Sequence, residues 1–172
     1  VGAGERSSTL FYTSYINKSS IIEKEMDKKE QLISAIKEYF NGKAKVYSVD
    51  IAFLYGSWAI GCPKASSDVD VAIIFNKEMD RDKIFDLITT ISLELTNILK
   101  RETNVLYIDT GFYRPMLYYN AIVQGIPVFV KNFTRYVDAR HHAIYQMEDF
   151  SIFGTKWQSE IVERRLEKLN HA

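Results

Sequence analysis

The stretch FLYGSWAIGCPKASSDVDVAIIF, Phe53 to Phe75, holds two apolar runs, with Gly56-Ser57 closing the first and Asp68-Val69-Asp70 opening the second. Ten residues, 58 through 67, separate the pairs, and Val71-Ala72-Ile73-Ile74-Phe75 follows the acids. Residues i and i+2 of a strand point to one face, about 6–7 Å apart along the chain. Two acids so placed are costly unless a cation neutralises them. The spacing predicts a divalent-metal site beside a phosphate-binding turn.

Each part has a chemical reason. Glycine permits backbone geometry and a close approach that a side chain would block. Ser57 can begin a helix whose free N–H groups favour a phosphate, and its hydroxyl adds a donor. Asp68 and Asp70 supply the oxygen ligands that Mg²⁺ prefers, and such ions bridge to substrate phosphates. Two ions about 3.5–4 Å apart would activate an attacking hydroxyl and a leaving pyrophosphate. Nucleotidyl transfer asks for little beyond positioning and charge neutralisation. Alone, a Gly-Ser is usually a turn and an Asp-x-Asp usually a solvated strand end; their conjunction between two apolar strands carries the reading. A P-loop is rejected: Gly56 and Gly61 have its spacing, but Cys62-Pro63 stand where Lys-Ser/Thr is needed, and Pro63 lacks a donor.

Outward from this stretch, Ile22, Met26, Leu32, Ile33, Ile36 and Phe40 fit one helical stripe from Ile21 to Phe40, with Asn41-Gly42 as its stop. Thr9 to Ile16 is a candidate strand. Val46 to Tyr55 and Asp68 to Phe75 read as strands, the second apolar enough for burial on both faces. Lys77 to Lys100 reads as a helix, Asn104 to Ile108 as a strand, Pro115 to Gln124 as a helix, Ile126 to Val130 as a last strand, and the remainder as helix. The order predicts an α/β (α+β) fold, a small mixed β-sheet with helices on one side. The expected organisation is an N-terminal segment over 1–20, one domain over 21–132 and a helical extension of it over 133–172.

With 172 residues the chain is expected to form one domain with a real core. Lys+Arg and Asp+Glu both number 22, so nothing steers it toward non-specific nucleic-acid binding or a membrane surface. The single cysteine, Cys62, excludes an intrachain disulfide and fits a reducing, cytoplasmic setting. No apolar run approaches a membrane span, and Val1 to Ser8 has no secretory apolar core.

Phe53 to Phe75 resembles the signature of the polymerase-β-type nucleotidyltransferase superfamily, G-S-x10-D-x-D. The short chain is most similar to the minimal nucleotidyltransferases of prokaryotes, the MntA-like antitoxins among them. A looser similarity runs through Val105 to Ile108 and through LYYNAIVQGIPVFV, Leu117 to Val130. The resemblance implies a nucleoside triphosphate, usually ATP, two Mg²⁺ ions and transfer of a nucleoside monophosphate to a hydroxyl. For many such proteins it implies a HEPN-type ribonuclease toxin as partner, in some cases with AMP added to a toxin tyrosine. Gly56 and Ser57 match the triphosphate-binding pair, and Asp68 and Asp70 match the metal ligands.

Two positions depart from the pattern. The slot for a third carboxylate falls on Asn104, which offers a carbonyl oxygen but no charge and no base. Asp109, the nearest acid downstream, is the alternative, though five positions put it on the opposite face of a regular strand; Glu102 shares the face of Asn104 but comes two residues early. Ile60 stands where relatives often carry a basic residue. Both changes predict weaker catalysis, or binding without reaction. Elsewhere, His141 and His142 with Asp138 read as a surface helix before a metal site, and Cys62 as a packing residue. Phe112, Tyr113, Tyr118 and Tyr119 read as core and partner surface before an adenine stack.

Overall fold

The computed structural model describes the backbone of residues 5–64, 66–109 and 111–170, with side chains between 26 and 154 inside those spans. The two apolar runs of the central stretch become β1 (Val49–Tyr55) and β2 (Val69–Phe75), joined through the short helix α2 (Gly56–Ile60). They pair antiparallel, Tyr55 opposite Asp70 and Phe53 opposite Ala72. Helix α3 (Arg81–Leu99) then crosses over to bring β3 (Thr103–Tyr107) parallel to β2. A parallel neighbour needs such a crossover. Helix α4 (Pro115–Ile122) leads to β4 (Ile126–Val130), antiparallel to β1, and the sheet order is β3-β2-β1-β4.

Alternation along the strands divides the core into two layers. Ala52 and Leu54 of β1 with Val69, Val71, Ile73 and Phe75 of β2 face α1 (Glu5–Tyr47) and α3. Ile51 and Phe53 with Ala72 and Ile74 face α4 and α5 (Phe133–Asn170). The mixed α/β sheet is as expected, but helices cover both of its faces, not one. Full burial of one such aliphatic side chain contributes about 1.5–3 kcal/mol, so a strand apolar on both sides demands cover on both.

Several boundaries differ from the sequence expectations. Thr9 to Ile16 lies inside α1, not in a strand; of the N-terminal segment expected over 1–20, residues 1–4 lie outside the described residues. Asn41-Gly42 does not stop α1, which continues to Tyr47. The reason is packing: Leu32, Ile36, Phe40 and Ala44 continue one buried stripe at helical spacing, and Tyr47 packs against the same core. The turn out of the helix is made by Ser48, at φ 59°.

Polar contacts pin the helices. Glu94 of α3 accepts from Tyr39 Oη at 2.8 Å, Tyr47 Oη at 2.9 Å and Lys43 Nζ at 3.2 Å, all on α1. Burial pushes the Glu94 carboxyl up, but these three donors outweigh it and hold the group below the usual glutamate range. Register slips between Val49 and Ile51, and there the buried Asp50 carboxylate meets Arg135 of α5 at 2.8 Å. Arg135 also donates to the Phe75 carbonyl at 3.2 Å. Among the described residues no helix is long and apolar enough to cross a membrane.

Candidate active site

Asp70 is the register partner of Tyr55 on β1 and of Asn104 on β3 at once. Asn104, Asp70 and Tyr55 thus form a row across three strands, on the face whose next residues, Ala72 and Phe53, are covered by α4 and α5. Asp68 stands two residues ahead of Asp70, and its carboxylate accepts from Asn104 Nδ2 at 3.5 Å. That distance marks a weak bond. The structure therefore brings Asp68, Asp70 and Asn104 together at the open end of one face.

Gly56 adjoins the same row. Its φ of 71° lies in the left-handed region, and a Cβ there would run into the Asp70 carboxylate. Ser57 follows as the second residue of α2, and its carbonyl accepts from Gly61 N at 3.1 Å and Cys62 N at 3.0 Å. Helix α2 is anchored from both sides. Trp58 is buried and donates to the Ser67 carbonyl at 3.4 Å, while the Arg101 guanidinium lies 5.1 Å from its ring centroid. Lys29 of α1 donates to the Ala59 carbonyl at 2.7 Å. The loop to Asp68 is tightened by Ser67, whose hydroxyl accepts from Lys64 N at 2.7 Å.

Trp58, Lys29 and Tyr55 were not singled out from the sequence. Trp58 carries a signal of its own, a large aromatic immediately after the Gly-Ser turn. Lys29 and Tyr55 gain their roles only from tertiary pairing.

Among the described residues the acid pair has no ion-pair partner. Burial raises the Asp70 pKa above the ordinary aspartate value; a hydrogen bond from Asn104 lowers it in part, and the Asp68 charge raises it further. Burial, then the Asp70 charge, pushes the Tyr55 hydroxyl up to about 12. Two carboxylates and a carboxamide, all oxygen donors, fit a hard divalent cation. Asn104 joins such a shell by turning its amide so that Oδ1, not Nδ2, faces the pair.

Other candidates sit elsewhere. Asp109 lies past the end of β3, where it accepts from Tyr118 Oη at 2.5 Å and from Gly111 N at 2.8 Å. Asn104, near the start of β3, is the residue beside Asp70. The His142 ring packs on Phe112, their centroids 4.3 Å apart. Among the described residues no group of three His, Cys, Asp or Glu side chains could hold a metal. Cys62 is exposed, against the packing role expected of it, because it falls just past the Gly61 cap of α2. Ile60 is also exposed.

The sheet and the helices on it are those of a nucleotidyltransferase-type domain. A family model for polymerase beta nucleotidyltransferases matches residues 34–134, more than half of the chain, and the chain belongs to that family. Among solved structures it is similar to a chain of a toxin-antitoxin complex with AMP-PNP, at TM-score 0.53 and 15% identity, covering 74% of this chain and 96% of that one. A doubly substituted MntA-HpeT toxin-antitoxin complex contains a chain similar at TM-score 0.53 and 13% identity, with coverage of 74% and 96%. A protein from Shewanella oneidensis matches at TM-score 0.48 and 14% identity, over 74% and 94% of the two chains. The first two likenesses are of fold. No curated protein matches the chain in sequence.

Proposed function

We propose that this chain is a minimal nucleotidyltransferase that moves AMP from ATP onto a hydroxyl of a protein partner, a tyrosine of a HEPN-type toxin, in the cytoplasm. The observation that carries the reading is the row itself: Asp70 set between Asn104 and Tyr55, with Asp68 beside it and Gly56 kept bare to admit the carboxylate. The toxin partner is supported by the similarity to chains of toxin-antitoxin complexes and by the family resemblance of the Phe53 to Phe75 signature.

In this reading Gly56 and Ser57 hold the β- and γ-phosphates, and Asp68 and Asp70 hold the two Mg²⁺ ions. When bound, magnesium neutralises the triphosphate and lowers the pKa of an attacking oxygen. The acceptor oxygen bonds to the α-phosphorus as the bond to the pyrophosphate oxygen breaks. Asn104 steadies the shell through its carbonyl oxygen but takes no proton, which leaves the acceptor's proton to solvent. That substitution favours a second reading, a nucleotide-binding antitoxin that neutralises its toxin by contact alone.

The two readings part in one experiment. The protein is incubated with α-labelled ATP, Mg²⁺ and a cognate HEPN-type toxin, beside an Asp68→Ala/Asp70→Ala control. Label on the toxin that vanishes in the control is the expected result. Toxin neutralised equally well with no label in either sample overturns transfer in favour of binding.

A further inference from the structure

Among the described strands, β3 stands at one edge of the sheet, with β2 as its single neighbour. Val69 N donates to the Glu102 carbonyl at 2.8 Å and Ile108 N to the Ile73 carbonyl at 3.0 Å. The even-numbered residues therefore turn their backbone groups toward β2, and Thr103, Val105 and Tyr107 turn theirs outward. Helix α3 closes the first of these: Thr103 N donates to Thr96 Oγ1 at 3.1 Å, and Ser92 Oγ donates to the Thr103 carbonyl. Among the described residues nothing bonds the outward N–H and C=O groups of Val105 or Tyr107. An edge left open in this way is a template for another strand.

The same two residues line a trough of about 580 Å³. One bank is the start of α3, with Arg81 and Phe85; the other is the approach to α4, with Tyr113 and Arg114. Phe85 is 64% exposed and Tyr113 84%. Neither guanidinium forms an ion pair among the described residues. The one acid among the lining residues, Asp109, engages both carboxylate oxygens with Tyr118 Oη and Gly111 N.

We propose that this trough binds an extended acidic segment of a partner protein, added to the sheet as a strand beside β3. Backbone hydrogen bonds to Val105 and Tyr107 hold the segment. Its alternate side chains reach the two banks, apolar ones covering Phe85 and Tyr113 and acidic ones meeting Arg81 and Arg114. Charge selects the occupant. A second copy pairing through its own β3 brings the same two arginines, like against like. A nucleic acid suits the arginines and the rings, but its sugar-phosphate backbone has no alternating donors and acceptors to match an open strand edge. The inference stands apart from the reaction proposed above, since none of these residues belongs to the row.

The test is a titration of the isotopically labelled full chain, followed by amide NMR. The probes are a capped peptide of about eight residues with the repeat Glu-Glu-Val-Val, its Lys-Lys-Val-Val counterpart and an oligouridylate. That repeat puts acidic and apolar groups on both faces of a strand. The acidic peptide is expected to bind about tenfold more tightly than the basic one, with shifted and slowly exchanging amides at Val105 and Tyr107. Arg81→Glu/Arg114→Glu, two exposed changes, is expected to reverse the order of the peptides. Val105→Pro removes an outward donor and leaves the ladder to β2 intact, and is expected to weaken the acidic peptide about tenfold. Failure of every probe to bind, equal binding of the two peptides or an acidic preference that survives charge reversal overturns the proposal. So does tighter binding of the oligouridylate, or a wild-type dimer that closes the edge.

Discussion

At the end of the sheet where β1 begins, Asp50 is gripped by Arg135 at 2.8 Å, and Asp109 accepts from Tyr118 Oη and Gly111 N at 2.5 and 2.8 Å. At the end where β1 stops, Asp68 and Asp70 lie two residues apart on one strand, Asp68 accepts from Asn104 Nδ2 at 3.5 Å, and the Asn104 amide lowers the Asp70 pKa in part. Both ends bring carboxylates to the same few strands. One end saturates them from within the chain; among the described residues the other supplies no cation. In the function proposed above, the contrast separates acids that hold the fold from acids that would hold a cation. A carboxylate left under-compensated lowers stability, which is why such acids mark candidate functional sites.

The sharpest way to break this comparison is to remove one partner at each end. Arg135→Ala leaves Asp50 buried without its cation and is expected to cost about 3–5 kcal/mol in urea unfolding. Asp70→Asn is expected to leave the unfolding midpoint unchanged or raise it at neutral pH, since burial and Asp68 already disfavour the charged form there. A large loss from Asp70→Asn, or none from Arg135→Ala, erases the distinction.

A smaller effect sharpens it. Asn104→Asp adds the missing charge to the row and is expected to raise transfer of label about tenfold, worth about 1.4 kcal/mol of barrier. No gain in a folded variant removes Asn104 from the shell. The smallest effect concerns Glu94, a third saturated acid, on α3. Its folded pKa lies below the ordinary value, so its contribution is present above the unfolded pKa and is lost as pH falls through the folded one. Glu94→Gln is expected to cost about 1 kcal/mol at neutral pH, because the pair is part-exposed. The gap from wild type should close in acid, as read from urea midpoints across pH.

Much of the site was legible because its signal is local. Gly56-Ser57 and Asp68-Val69-Asp70 sit at the ends of two strands that pair with each other, so a turn, a register and a face follow from one stretch. Asn104 was legible by strand pattern, and pairing with Asp70 separates it from Asp109. The two-sided cover of the sheet was also written in Val71 to Phe75, apolar without alternation, although the helices were expected on one side. The length of α1 was not legible: glycine ends a helix where a left-handed residue is needed, and at Gly42 the buried stripe simply runs on to Ala44. Nor was the Asp50–Arg135 pair, whose members are 85 residues apart. Long-range pairs leave no periodic trace in a single chain.

The row across β3, β2 and β1 also says when the site comes into being. Tyr55 and Asp70 meet as an antiparallel pair, but Asn104 arrives only when α3 has crossed over and β3 has docked parallel to β2. Long-range parallel pairing is slow, since a large loop must close before its contacts form. A nascent or partly unfolded chain can therefore hold the β1–β2 pair and lack the site altogether, and ligand binding by the row becomes a report that the crossover is complete.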